Sequence, residues 1–303
     1  MAYSLKLTAN TPEGAFLMYI LIIGKNGQLA YELANSIPAG ITARFVSSQE
    51  LDISNQAAVH TLITAEQPDA VINAAAYTAV DKAETEQEQA FNINAKGPQY
   101  LAEACQSIGA HLVQVSTDFV FDGTANTPYT PDSTPNPVSV YGSSKLAGER
   151  GVQQALPSAT IIRTSWVYSS HGNNFVKTML RLMNEKEQLG VVADQIGAPT
   201  WAAGLARVCW QAAQQKPAGI YHWSDAGVAS WYDFAVAIQS LARCKGLLNK
   251  QIPVNAIETA DYPTPAKRPS YSVLSSSSLQ QALNIKSVHW REQLNAMLNE
   301  ALV

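Results

Sequence analysis

Charge is scarce in this chain. Only 15% of its 303 residues are Asp, Glu, Lys or Arg, against 47% hydrophobic residues. A chain so poor in charge and so rich in apolar groups collapses into a packed core rather than staying disordered. Its 20 basic residues gather into no stripe and the net charge is −4, which argues against a nucleic-acid partner. There are three cysteines, Cys105, Cys209 and Cys244, scattered without metal-type spacing. They imply no disulfide framework and suit a reducing cytoplasm. The five histidines form no ligand pair at helical spacing. Long hydrophobic runs are missing too. The apolar stretch 16–23 is far too short for a bilayer and ends in a glycine turn. No cleavage-like small-residue site marks a secretory signal, so no membrane partner is expected.

What is present is alternation. Strand patterns at 19–23, 41–46, 70–73, 111–115 and 159–164 interleave with helical patterns at 28–35, 55–65, 86–107 and 143–154. This order predicts an α/β fold, a Rossmann-like doubly wound parallel sheet. After about residue 168 the alternation loosens. The segments 191–200, 219–223 and 261–269 are loop-rich and aromatic, separated by helices at about 201–215 and 230–243. The expected organisation is therefore an extension over 1–17 and a dinucleotide-binding domain over 18–168. A smaller α+β substrate-binding lobe follows over 169–303, with residues about 195–215 packing back on the first domain. Met18 stands immediately before the first strand, so the working domain is expected to begin there.

The first strand meets Gly24-Lys-Asn-Gly27 and then the helical pattern from Gln28. Strand, glycine turn and helix together make a dinucleotide-binding turn credible. Gly24 allows the tight turn, and Gly27 lets backbone approach a pyrophosphate at the helix N-terminus. Ala30 takes the place of the third small residue. At the tip of the second strand lie Ser47, Ser48 and Gln49, with Glu50 and Asp52 only later. With no carboxylate read as repelling a 2′-phosphate, the pattern favours NADPH over NADH. Asp52 and Ile53 are expected to border the adenine. Ala74, Ala75 and Ala76 after the strand 70–73 either leave room for a cofactor or permit close packing. Asn94 either orders a water or carbonyl near the site or satisfies a buried polar group.

Tyr141 and Lys145 are four apart, one helical turn, and follow Ser116-Thr117-Asp118. A fixed ammonium about 4 Å away favours a phenolate by on the order of 4 kcal/mol at an effective dielectric of ~20. That brings a phenol, normally near pKa ~10, toward the range useful for proton transfer. Thr117 supplies a hydroxyl for a substrate oxygen. Gly24, Ala75 and Thr117 all follow strands, so they meet at the carboxyl edge of the sheet, where such sheets bind ligands. Between Thr117 and Tyr141 runs a stiff loop with Pro128, Pro131, Pro135 and Pro137.

Several motifs combine into a resemblance. They are Gly-Lys-Asn-Gly-Gln-Leu at 24–29, Asn-Ala-Ala-Ala-Tyr-Thr-Ala-Val-Asp-Lys-Ala-Glu at 73–84 and Ser-Thr-Asp-Phe-Val-Phe-Asp-Gly at 116–123. Further on come Tyr-Gly-Ser-Ser-Lys-Leu-Ala-Gly-Glu at 141–149, Arg-Thr-Ser-Trp-Val-Tyr at 163–168 and Gly-Asn-Asn-Phe at 172–175. Asp-Gln-Ile-Gly-Ala-Pro-Thr at 194–200 and Tyr-Pro-Thr-Pro-Ala-Lys-Arg-Pro at 262–269 complete the set. From Met18 onward the chain resembles the dTDP-4-dehydrorhamnose reductases, a family of extended short-chain dehydrogenases/reductases. The resemblance implies a reductase of the C4 ketone of a dTDP-sugar, the last step of dTDP-rhamnose synthesis, with Thr117, Tyr141 and Lys145 as catalytic residues. It implies cofactor contacts from Gly24, Asn26, Gly27, Gln28, Leu29, Asp52, Ile53, Ala74, Ala75, Ala76, Tyr77, Asn94, Tyr141 and Lys145. Substrate contacts fall on Val80, Asp81, Thr117, Asp118, Tyr141, Trp166, Asn174, Phe175 and Arg268. A homodimer and Mg2+ at a subunit contact come with the family, although no ligand cluster here requires the metal. Ser139 departs from the family's usual asparagine. Two alternatives stay open: another epimerase or reductase of the same superfamily, and a non-catalytic dinucleotide-binding regulatory subunit. Dehydratases of the superfamily place glutamate after Thr-Asp, and Phe119 stands there instead.

Overall fold

The computed structural model describes residues 7–8 and 18–300. Six parallel strands make the central sheet: Met18–Ile23, Ile41–Val46, Ala70–Asn73, His111–Thr117, Thr160–Thr164 and Gly219–His222. In space the second strand lies outside the first, and the remaining four follow on the other side. This is the doubly wound arrangement that the alternation predicts. Most of the expected extension lies outside the described residues. Leu7–Thr8, however, pairs antiparallel with Thr42 and Ala43 at the sheet edge.

Period-two alternation sorts the first strand between two cores. Ile20 and Ile22 pack with the helices Gln28–Asn35 and Ala202–Gln215 on one face. Leu21 and Ile23 pack with Gln56–Glu66 and Gly97–Ile108 on the other. All four are at most 2% exposed, so the strand is apolar on both faces, as a covered parallel strand must be. Each such side chain contributes roughly 1.5–3 kcal/mol of burial.

The sixth strand corrects one reading of the sequence. Residues 219–222 are not part of an irregular second lobe; they pair in register with Thr160–Arg163 and extend the sheet. Four residues with one glycine carry too little periodicity to be told from a loop. The helix Ala202–Gln215 packs on the sheet through Leu205, Ala206 and Cys209. The late helix Ser277–Leu283 joins the same core through Leu279 and Leu283, while Phe234, Ile238, Trp290 and Leu294 join Val176, Met179 and Met183 in a separate apolar cluster.

The stretch expected as one helix over 86–107 is three pieces: Gln87–Phe91, a π-helical turn Asn92–Lys96, and Gly97–Ile108. Pro98 lacks the N–H that would close the ordinary bond to the Asn94 carbonyl, so the helix widens there. The freed carbonyl lies against the helix Val140–Ala155 at Gly148, where a Cβ would stand only 2.0 Å from it.

That helix is fixed to the sheet by a buried charged network. Arg163 donates to both Glu149 carboxylate oxygens, Nε to Oε1 at 2.9 Å and Nη2 to Oε2 at 2.6 Å. Ser116 Oγ donates to the same carboxylate, and both charged side chains are 1% exposed. The guanidinium also lies over the Phe121 ring, 5.1 Å from its centre. His222 Nδ1 meets the Tyr129 carbonyl at 3.0 Å and its Nε2 meets Arg163 Nη1 at 3.4 Å. A carbonyl only accepts and a guanidinium only donates, so the ring is neutral with its proton on Nδ1. Burial, then the Arg163 charge, push the His222 pKa down to about 3.

Removing one member of a buried pair leaves a bare charge and costs about 3–5 kcal/mol. Arg163→Met is therefore expected to lose stability of that size in urea unfolding. A loss below about 1 kcal/mol would show that the pair is not a structural clamp. His222 titrates normally once unfolded and stays neutral when folded, so its contribution to stability falls as pH drops from about 6.5 toward 3.

Candidate active site

The carboxyl edge of the sheet opens into a crevice of about 490 Å³. Its lining includes Asn26, Gly27, Gln28, Leu29, Ala74, Ala75, Ala76, Val80, Thr117, Asp118, Tyr141, Lys145 and Trp166. Thus 13 of the residues picked out in the sequence converge there, from five separate segments of the chain.

Its floor is the glycine turn. Gly24 has φ +102°, and a Cβ on it would come 2.7 Å from the Ala75 nitrogen. The turn and the alanines therefore pack backbone to backbone, and the alanines also line the crevice. Asn73 shapes this meeting. Its Nδ2 donates to Gln114 Oε1 at 2.8 Å, and its Oδ1 accepts from Ala75 N at 3.1 Å. Gln114 was missed in the sequence reading, although a glutamine inside the apolar run His111-Leu-Val-Gln-Val was the available signal. The helix Gln28–Asn35 starts at Gly27 with no side-chain cap. No side chain takes up its first N–H groups, and Gly27, Gln28 and Leu29 line the crevice, a fit for a diphosphate.

The catalytic candidates sit on two elements that the Glu149–Arg163 network joins. Thr117 ends the strand His111–Thr117, and Tyr141 opens the helix Val140–Ala155, which begins earlier than residue 143. Ser139 caps this helix, accepting from Gly142 N at 3.2 Å, so the departure from asparagine keeps a good cap. Lys145 Nζ donates to the Val115 carbonyl at 2.8 Å. Tyr141 is 9% exposed, Lys145 5% and Thr117 6%. Phe119 packs edge-on against the Tyr141 ring at 5.4 Å. It lines the crevice with Thr78, Thr164, Ser165 and Asn173, which lie inside the quoted motifs but are not among the predicted contacts.

Burial governs the titration of the site. It pushes Tyr141 up to about 12, opposed by a hydrogen bond with the Thr117 hydroxyl and reinforced by the Asp118 charge. Burial lowers Lys145 to about 8, opposed by Glu149. It raises Asp118 to about 6, with hydrogen bonds from Ser272 and Thr117 opposing. The expectation that Lys145 makes the phenol acidic is thus corrected. In this closed, water-poor setting desolvation outweighs the ammonium, which is committed to Val115, and the phenol keeps its proton at neutral pH.

Other picked residues lie off the crevice wall. Asn94 Oδ1 accepts from Tyr77 N at 2.9 Å, and its Nδ2 donates to Tyr77 O and Ser144 Oγ. It is a buried tie between the Tyr77 loop and the helix Val140–Ala155. The Tyr77 hydroxyl donates to Glu86. Ile53 is buried beneath Gly97, and Asp52 accepts from Ser54 and borders a separate polar crevice with Glu86 and Asn92. Asp81 and Arg268 pair with each other at 2.8 Å. Asn174 caps the helix Phe175–Glu185 and donates to Gln28 Oε1 at 2.9 Å, while the Phe175 ring packs on Trp231. Glu50 folds back to accept from Ser47 N at 2.9 Å and Ser47 Oγ at 2.8 Å. A carboxylate therefore does stand at the tip of the second strand, because the 47–51 turn reverses the chain there. Among the described residues no group of three His, Cys, Asp or Glu side chains is assembled for a metal, and no helix is long and apolar enough to cross a membrane.

A family model described as the RmlD substrate binding domain matches residues 18–303. The chain belongs to this family. It is 44% identical over 283 residues to a dTDP-4-dehydrorhamnose reductase of Aggregatibacter actinomycetemcomitans, covering 91% of this chain and 96% of the relative. A crystal structure of a dTDP-4-dehydrorhamnose reductase from Clostridium acetobutylicum superposes with TM-score 0.89 at 41% identity, covering 94% of this chain and all of that one. The Bacillus anthracis dTDP-4-dehydrorhamnose reductase, solved in complex with NADP, gives TM-score 0.88 at 37% identity, covering 94% and 99%. A UDP-glucose 4-epimerase from Thermus thermophilus shares the fold at 18% identity.

In this member of the RmlD family the contact between the π-turn and the helix Val140–Ala155 leaves no room at Gly148. Gly148→Ala is expected to destabilise by about 1–3 kcal/mol in thermal or urea unfolding. An unchanged midpoint would mean that the two segments do not press together.

Proposed function

We propose that this protein reduces the C4 ketone of dTDP-4-dehydro-L-rhamnose to dTDP-L-rhamnose with a reduced nicotinamide cofactor. One observation carries the reading: Thr117, Tyr141 and Lys145 share a crevice with an uncapped glycine-turn helix. Membership of the RmlD family and the relatives' names support it. We read residues 18–168 as the main cofactor-binding part and the cluster after 168 as the main substrate-binding part.

When bound, the nicotinamide supplies the hydride that goes to the sugar carbon. The protein's part is to orient the ketone and to move a proton. The Thr117 hydroxyl, which donates to Asp118 Oδ1 at 3.0 Å, turns its proton to the ketone oxygen and so orients the carbonyl. Tyr141 is protonated at neutral pH and donates its phenolic proton to the oxygen as negative charge develops there. Lys145 is mostly charged below its lowered pKa of about 8 and stabilises that charge. The reduction is accordingly expected to slow above about pH 8. The cysteines Cys105, Cys209 and Cys244 are all free thiols, which supports a reducing cytoplasm as the place of action.

The choice of cofactor turns on Glu50. The relative solved with NADP supports NADPH, as the serines at 47 and 48 do. The Glu50 carboxylate on Ser47 opposes a 2′-phosphate there. Glu50→Gln is expected to raise the NADPH-to-NADH ratio of kcat/KM by roughly tenfold, the effect of about 1.4 kcal/mol. An unchanged ratio would place the 2′ position elsewhere.

The decisive assay mixes purified protein with the keto-sugar and each reduced cofactor in turn. Oxidation of the nicotinamide with formation of the rhamnose product is expected. Tyr141→Phe is expected to lower kcat by about 10²–10⁴ while cofactor affinity holds. Near-full turnover by that variant would remove Tyr141 from its role.

A further inference from the structure

Four described residues other than glycine adopt positive φ: Gln67, Trp166, Lys216 and Asn284. Three of them are helix C-caps, where a left-handed residue is ordinary. Trp166 is different. It lies between the strand Thr160–Thr164 and the short strand Val167–Tyr168, with φ +48°, on the wall of the crevice. A bulky residue holds such a backbone only where its surroundings over-determine it, and such residues gather at ligand sites.

The surroundings are specific. Ser165 Oγ donates to the Ala198 carbonyl at 2.8 Å, and Thr200 N donates to the Trp166 carbonyl at 3.2 Å. The indole of Trp166 stacks on that of Trp231, with ring centres 3.5 Å apart and planes 5° from parallel. Phe175 supports Trp231 from 4.7 Å. Gly197 lies against the Trp166 indole, where a Cβ would come 2.6 Å from the ring. Trp231 is in turn fixed as the first residue of the helix Trp231–Cys244, because Ser230 and Asp233 form a capping box. Ser230 and Ala229 pair with Ile196 and Gly197, so the two supports of the indole are tied together.

We propose that Trp231 and Gly197 are positioning residues that hold the strained Trp166 indole toward the crevice, where it contacts the sugar-nucleotide substrate. This rests on the function proposed above. The predicted substrate contact Phe175 acts, on this view, through Trp231. The stack is separate from the Tyr141 proton path and from the glycine turn. Its loss therefore weakens substrate binding without altering proton transfer or cofactor affinity.

Two stacked indoles couple their transitions and give a paired-sign circular-dichroism signal. The wild-type protein is expected to show this signal and to change it on adding the dTDP-sugar, but not on adding the nicotinamide cofactor alone. Trp231→Ala is expected to abolish the signal and to raise KM for the keto-sugar roughly tenfold, with kcat and cofactor affinity within about twofold. Trp231→Phe is expected to restore most of the KM without restoring the signal, which a merely structural role would not produce. A folded Trp231→Ala protein with wild-type KM would overturn the proposal. Should that variant fail to fold, a wild-type signal indifferent to the dTDP-sugar would overturn it equally. If wild-type protein does not turn over the keto-sugar at all, the proposed function fails instead, whatever the signal shows.

Discussion

The site depends on a buried ion pair. Glu149 and Arg163, together with Ser116, join the helix Val140–Ala155 to the strand that carries Thr117 and to the next strand. Glu149 is one turn beyond Lys145, which is one turn beyond Tyr141, so all three lie on one helix face. Fixing Glu149 to the sheet fixes the phenol and the ammonium at the sheet's open edge. Two unpaired charges could not be buried there at acceptable cost, so the pair is a strong constraint on geometry even where its net stabilisation is small.

The same burial sets the chemistry. A phenol excluded from water holds its proton, and a lysine excluded from water holds its proton less firmly. With Tyr141 raised to about 12 and Lys145 lowered to about 8, two groups of nearly equal acidity in water are driven apart, and the ammonium becomes the stronger acid of the two. A protonated phenol beside a charged lysine suits donation to a developing alkoxide, the direction of a reduction. The ammonium's effect belongs to the charge that forms on substrate rather than to the resting phenol.

Much of this was legible in the sequence. Apolar β-branched runs followed by glycine or small residues marked the parallel strands, since such strands are covered on both faces. Motifs ending those strands had to meet at one edge, and Gly27, Ala75, Thr117, Tyr141 and Lys145 do. What stayed hidden depends on contacts distant in the chain. Nothing near Glu50 reveals that it turns back onto Ser47. Pro98 hints at the π-turn, yet only the packed Gly148 gives the widened helix a purpose. Residues 219–222 become a strand because the neighbouring strand offers an open edge. Desolvation of Tyr141 likewise arises from Phe119, Thr117 and the surrounding walls, and no local pattern records it.

The account stands or falls on whether this crevice transfers hydride to a sugar ketone. The direct measurement supplies the protein with dTDP-4-dehydro-L-rhamnose and a reduced nicotinamide carrying deuterium at its transferable position, then locates the label by mass spectrometry and NMR. The account predicts one deuterium at C4 of dTDP-L-rhamnose for each nicotinamide oxidised. Unlabelled product, or label at any other carbon, would contradict it.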